Sequence, residues 1–270
     1  MKKTSRLQEK DFYETLAEVP VRRRADTLLC MNNSVSSRER AQELIIRGQV
    51  FADGSPVTKP AKLLPVGVKL TVKDQKKNWV SRAGFKLLAG LDAFPSIKVK
   101  GSVALDLGAS TGGFTDVLLA KGVKKVIAID VGEGQLHPRL TDDPRVSVLD
   151  KTNARNLTKE LLGVVPTLIV CDVSFISLKK VLPAALKMAP PDAYLLALIK
   201  PQFEVGKGRV GKGGVIRNSQ LHEEVTSQIE EWLIHVMKWR HIGTVESPIF
   251  GAKGNKEFLI SGQKLDFIRS

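Results

Sequence analysis

Between residues 103 and 199 the chain repeats one pattern. Apolar runs at 103–107, 126–129, 146–149, 167–171 and 194–199 are separated by longer segments, most of them with helical spacing. Short, nearly uninterrupted apolar runs read as strands buried on both faces. Their alternation with helices predicts a largely parallel α/β sheet, which binds ligands outside the carboxyl ends of its strands. Ahead of the first run, Ser81 is placed to cap a helix reaching Phe94. Ala89 and Gly90, three and four residues after Lys86, give that helix a small face. Docking of this face on the sheet would carry Lys86 inward, whereas a lysine on an ordinary helix stays in solvent.

The first eighty residues follow a different pattern. Ser36 and Glu39 form a capping box, Ala41, Leu44 and Ile45 share one helical face, and Gly48 ends the helix. Val50-Phe51-Ala52 and Pro56-Val57 flank Asp53-Gly54, a hairpin signal, and Val68, Leu70 and Val72 alternate as a later strand. The expected unit, 22–73, has two helices followed by short strands. A weak stripe at Phe12, Leu16 and Val19 is left unassigned within an N-terminal extension, 1–21. Charged residues at 74–80 read as a linker, and 81–270 as the α/β domain.

Charge adds a partner to this picture. Among 270 residues, 42 Lys and Arg against 28 Asp and Glu leave +14. The first 80 residues hold 16 of the basic and 9 of the acidic residues, so half of the excess lies on less than a third of the chain. A polyanion, nucleic acid foremost, fits that balance. No apolar run is long enough to span a bilayer, which disfavours a membrane protein. The N-terminus lacks the apolar core of a secretory signal, and Cys30 and Cys171 form neither a CxxC pair nor a metal-ligand cluster. A reduced, cytoplasmic protein without bound metal is expected.

Chemistry collects at the strand ends. Asp106-Leu107-Gly108-Ala109-Ser110-Thr111-Gly112-Gly113-Phe114 combines an acid with glycines that admit close backbone approach to a ligand. An ordinary strand-to-helix turn is the plainer alternative. Asp130, ending the second strand, suits the hydroxyls of an adenosine ribose or the cap of the next helix. Asp150, ending the third, suits an adenine amino group or a cap. Asp172 and Lys200 follow the fourth and fifth runs, where a charge is costly unless paired or solvated, as candidate chemistry or as a structural ion pair. Glu257 precedes Phe258-Leu259-Ile260, at the exposed start of a strand or in a site.

Together these segments resemble the TlyA, or haemolysin A, family of ribosomal RNA 2′-O-methyltransferases, related in catalytic domain to FtsJ. The resemblance runs through Trp79-Val-Ser-Arg-Ala-Gly-Phe-Lys86, Asp106 to Phe114, Asp172-Val-Ser-Phe-Ile-Ser177, Ile199-Lys-Pro-Gln-Phe-Glu-Val-Gly206 and Gly254-Asn-Lys-Glu257. Residues 22–73 resemble the RNA-binding module of ribosomal protein S-four, through Arg24-Ala-Asp26, Ser37-Arg38, Ala41, Gly48 and Lys59-Pro60. The family pattern departs at Ala83, where Gly is frequent, and in a long N-terminal tail.

The resemblance implies a Rossmann-type methyltransferase domain after a small α+β RNA-binding domain, with S-adenosylmethionine as methyl donor. It implies a Lys-Asp-Lys-Glu tetrad at Lys86, Asp172, Lys200 and Glu257. It places the donor against Asp106, Gly108, Ser110 to Phe114, Asp130, Asp150, Asp172 and Phe175. The implied substrate is a cytidine ribose in ribosomal RNA or ribosomal subunits, the large subunit and, in some members, the small one too. A ribose hydroxyl is a weak nucleophile, so Lys200 is the candidate proton acceptor, with alignment by the lysines the larger expected effect. Phosphate contacts are expected from Arg22, Arg23, Arg24, Arg38, Arg40, Lys59 and Lys62. The glycine-rich loop 206–214, with Lys207, Arg209 and Lys212, either closes over the target nucleotide or is solvated surface. Phe175 and Phe203 stack on a ligand or pack. A noncatalytic ribosome-assembly factor would explain the charge but not an intact tetrad, and a membrane-lytic protein lacks a suitable amphipathic helix.

Overall fold

The structure is a computed structural model, described for residues 21–32, 34–35, 37–72, 79–206 and 208–266, without the side chains at 39, 40, 43, 212 and 252. It divides near residue 75 into two compact units. The smaller holds β1 (Arg22–Arg24), α1 (Ala25–Met31), α2 (Arg38–Ile46), β2 (Val50–Ala52), β3 (Ser55–Pro56), β4 (Leu63–Pro65) and β5 (Leu70–Val72). The expected order of helices before strands is corrected at its start: β1 comes first and pairs antiparallel with β4. Three successive arginines carry no apolar period, and the strand is made by backbone pairing with a distant segment.

The hairpin forms at Asp53-Gly54, with φ of 47° and 80°, the two positive values a type I′ turn requires. Leu28, Leu29, Ala41, Leu44, Ile45 and Val50 build the core of this unit. Among its buried polar residues is Asp26, whose carboxylate accepts hydrogen bonds from Arg24 Nη2 at 2.7 Å, Gln42 Nε2 at 3.0 Å and Arg38 Nε at 3.2 Å. Chiefly the Arg24 contact holds its carboxyl well below the usual range. The Ser36 capping box, the Phe12 stripe and residues 74–78 of the expected linker lie outside the described residues. The linker is corrected at its end, because Trp79 is buried in the core of the larger unit and the Val80 amide donates to Asp116 Oδ2 at 2.9 Å.

The larger unit opens with α3 (Ala83–Ala93), preceded by Arg82 at the cap position rather than Ser81. Its strands are β6 (Val103–Leu107), β7 (Lys125–Ile129), β8 (Val146–Leu149), β9 (Leu168–Cys171), β10 (Tyr194–Ile199), β11 (Trp239–Glu246) and β12 (Phe258–Lys264). They form one sheet in the order β11-β12-β10-β9-β6-β7-β8. β6 through β10 are parallel neighbours, whereas β12 runs antiparallel to both β10 and β11. Strands alternate their side chains between faces, so each apolar run feeds two cores. Leu105, Leu107, Ile169, Cys171, Leu195 and Ile199 face one. Ala104, Leu168, Val170, Leu196 and Leu198 face the other.

α3 covers the second face because its small residues admit contact. A Cβ on Gly90 would stand 2.9 Å from Leu196 Cδ2, and one on Gly84 would stand 3.0 Å from the Gly113 carbonyl. Gly113 begins α4 (Gly113–Ala120), so the two helices meet at glycines. This close seat buries Lys86, in line with the inward placement read from Ala89 and Gly90.

Candidate active site

Two adjoining cavities open at the carboxyl ends of the parallel strands. The first, about 520 Å³, is lined by Lys86, Asp172, Lys200 and Glu257, with Gly108, Ser110, Thr111, Gly113 and Phe114 along one wall. Asp172, Lys200 and Glu257 converge through strand register, and Lys86 is brought to them on α3. Ala197 of β10 faces Cys171 of β9, which brings Asp172 to the mouth near Lys200. Ile199 faces Phe258 of β12, so the next positions, Lys200 and Glu257, lie side by side. The charges form two ion pairs, Lys86 Nζ to Glu257 Oε2 at 2.5 Å and Lys200 Nζ to Asp172 Oδ1 at 2.6 Å. Lys200 also donates to Ser174 Oγ at 3.0 Å. All four are at least mostly buried, and at that depth removing one partner strands the other.

Glycine and asparagine shape the Glu257 side of the cavity. A Cβ on Gly251 would collide with Glu257 Oε1. Buried Asn255 donates from Nδ2 to the Gly214 carbonyl at 2.9 Å and accepts from the Ile216 amide at 3.0 Å, joining this loop to residues 214–216. Across the mouth, Glu204 accepts from Ser177 Oγ at 2.6 Å and the Leu178 amide at 2.8 Å. It thereby ties the segment after β9 to the short helix Pro201–Glu204 after β10, and burial raises its carboxyl.

The second cavity, about 500 Å³, shares Gly108, Ser110, Asp172, Ser174 and Phe175 with the first. Ile129, Val131, Ile176 and Val181 make it apolar, with Asp130 and residues Thr152 to Arg155 at its polar edge. Asp130 accepts from the Ser110 amide at 2.9 Å and the Gly132 amide at 2.8 Å, one on each oxygen. Each oxygen keeps a second lone pair for a ligand hydroxyl. Phe175, 90% exposed and with φ of 65°, stands between the cavities with its ring centroid 5.0 Å from that of Phe203.

Three residues expected against the donor do not line either cavity. Asp106 is fully buried beneath the loop, where Thr115 Oγ1 donates to Oδ2 at 2.7 Å and Oδ1 has no partner among the described residues. Gly112 has φ of 97°, and a Cβ there would collide with Leu140 and Leu136. Asp150 accepts from the Gly134 amide at 2.8 Å and so braces the 132–134 loop. Thr152, Asn153 and Arg155 reach the wall instead.

The expected phosphate contacts also separate. Arg22, Arg23, Lys59 and Lys62 are exposed. Arg24 and Arg38 each spend part of the guanidinium on Asp26. Arg209 forms an exposed two-point pair with Glu224, at 2.6 and 2.5 Å. Lys207 and the side chains of Arg40 and Lys212 lie outside the described residues. Sequence reading missed Arg82, Ser174, Gln202, Lys253 and Asn255, all of which line the first cavity. Four of them fall inside quoted motifs, but a single sequence carries no signal for which way they face.

Comparison with known proteins places these features. Residues 79–264 match the FtsJ-like methyltransferase family and residues 23–70 the S4 domain. The 16S/23S rRNA (cytidine-2′-O)-methyltransferase TlyA of Mycobacterium tuberculosis is 46% identical over 88% of this chain and 89% of its own length. The 23S rRNA (cytidine-2′-O)-methyltransferase TlyA of Campylobacter jejuni is 35% identical over 73% of this chain and 74% of its own. A solved structure described as a hemolysin from Streptococcus thermophilus superposes with a TM-score of 0.68 at 36% identity, over 92% of this chain and 90% of that one. Among the described residues no helix is long and apolar enough to cross a membrane. With a relative this close along nearly its whole length, and a tetrad assembled in the FtsJ-like domain, the chain belongs to the TlyA family of methyltransferases.

Proposed function

We propose that this chain methylates the 2′-hydroxyl of a cytidine in ribosomal RNA, using S-adenosylmethionine, in the cytoplasm. The observation that carries the reading is the convergence of Lys86, Asp172, Lys200 and Glu257 on one cavity beside the glycine loop. The paired cavities, each near 500 Å³, are of a size that binds small molecules. The apolar second cavity suits an adenine, and Asp130 suits the ribose hydroxyls. Ser81, Arg82 and the loop at 108–114 would hold the amino-acid end. When bound, S-adenosylmethionine supplies a methyl group already activated on sulfur.

The chain's own residues then align and deprotonate. Lys86, fixed by Glu257, and Lys200, fixed by Asp172 and Ser174, direct hydrogen-bonding groups at the hydroxyl oxygen. The hydroxyl proton would leave toward Lys200 Nζ, which would hand one of its own to solvent, or directly to water. A positioned base of this kind contributes about 10²- to 10⁴-fold, and alignment contributes further. We assign RNA binding to residues 22–73 and catalysis to 79–270, with 74–78 as linker and 1–21 as an extension.

The test is transfer of labelled methyl to 30S and 50S subunits from a strain lacking the gene, followed by mapping of the modified ribose. Label is expected on the large subunit, and its presence on the small one decides between the two substrate ranges of the relatives. Lys200→Ala should lower kcat by at least about 10²-fold. No label on either subunit, with S-adenosylmethionine bound, would overturn the ribosomal reading.

A further inference from the structure

The four charges of the tetrad cancel within two ion pairs. A polynucleotide entering this cavity nevertheless brings phosphates with it, since the 3′-phosphate hangs on the ribose carbon beside the reacting one. A cation outside the tetrad must meet that charge. Lys253 lines the cavity, is exposed, and has no hydrogen-bond or ion-pair partner among the described residues.

Its backbone is the second observation. Lys253 has φ of 58°, a left-handed conformation that glycine adopts freely and a lysine does not. Gly251 and Gly254 surround it, and Asn255 fastens the same loop to Gly214 and Ile216. The side chain is thereby aimed across the mouth, with Nζ 3.7 Å from the position of a Cβ on Gly214. Glycine would fit this backbone better, so a role for the side chain accounts for a lysine here. Arg82, the other exposed cation on the wall, precedes Lys86 by one helical turn and follows Ser81, on the side of the cavity assigned above to the donor's amino-acid end.

We infer that Lys253 contacts the RNA phosphate adjoining the target ribose and sets affinity for RNA without joining the methyl transfer. The inference rests on the RNA reading above. It is tested with full-length wild type, Lys253→Gly and Lys253→Arg on 30S and 50S subunits lacking the modification. Lys253→Gly should melt at or above the wild-type temperature, because it relieves the backbone. Its KM for subunits should nonetheless rise about tenfold, with kcat within about twofold of wild type. The slope of log affinity against log salt should become shallower by about one unit, and Lys253→Arg should restore both values.

An active wild type with KM and salt slope unchanged in Lys253→Gly overturns the contact alone. Weaker binding of S-adenosylmethionine in the variant overturns it too, and reassigns Lys253 to the donor's carboxylate. A wild type that methylates neither subunit overturns the RNA reading, and the contact with it.

Discussion

Asp106 shows what burial does to one carboxyl. It is pushed up to about 7, first by burial and then by the charges of Asp172 and Asp130, against the opposing Thr115 hydroxyl. An aspartate in an unfolded chain titrates near 3.9, so between about pH 4 and 7 the folded chain keeps a proton that the unfolded chain has released. Stability therefore falls as pH rises through that window and is level above it. The whole effect is on the order of 4 kcal/mol at 1.4 kcal/mol per unit. Asp106→Asn, melted without the methyl donor, should differ little from wild type at pH 4 and gain steadily on it up to pH 8. Parallel melting curves across that range would place the charge of Asp106 in contact with water.

At the scale of elements, catalysis depends on loops that have almost no room. Gly251 touches the Glu257 carboxylate, and Glu257 in turn holds Lys86 on α3. A methyl group at residue 251 must displace that carboxylate and with it the lysine. Gly251→Ala should lower kcat at least about tenfold, since a misplacement of one ångström in a catalytic group can cost about a hundredfold. The affinity for S-adenosylmethionine, governed by the loops after β6 and β7, should change less than twofold. Full activity in Gly251→Ala would show that Glu257 has another place to go. The same logic explains why α3 and α4 meet at Gly84 and Gly113, where a larger residue would lift Lys86 off the sheet.

For the molecule as a whole, net charge and usable charge differ. The chain carries +14, yet Asp26 engages Arg24 and Arg38, and Glu224 engages Arg209. Arg22 and Arg23 remain exposed. Replacing both by Glu should weaken subunit binding across all RNA sequences and flatten the salt slope by about two units, one for each lost phosphate contact. Arg209→Ala should leave that slope nearly unchanged. Filter binding between 50 and 200 mM salt, the range over which such contacts separate, measures both. A larger change in Arg209→Ala than in the double variant would invert this assignment.

The parallel strands, the 53–54 hairpin and the tetrad were all legible along the chain. Each rests on local information: an apolar run, a two-residue turn, or a motif whose neighbours identify it. Composition likewise pointed to a polyanion as partner. Three things were not local. β1 needed a partner forty residues away, and its arginines gave no hint of a strand. Asp106 and Asp130 look alike as acids at strand ends, but only folding buries the first under a loop and leaves the second on a cavity wall. The pairing within the tetrad came from packing through space, β10 in register with β9 and with antiparallel β12, and α3 seated on the sheet to bring Lys86 to Glu257. Sequence names which charges are present. Which charges cancel, and which, like that of Lys253, stay open to a ligand, is decided by distances that only the tertiary structure sets, because Coulomb attraction and burial act through space and not along the chain.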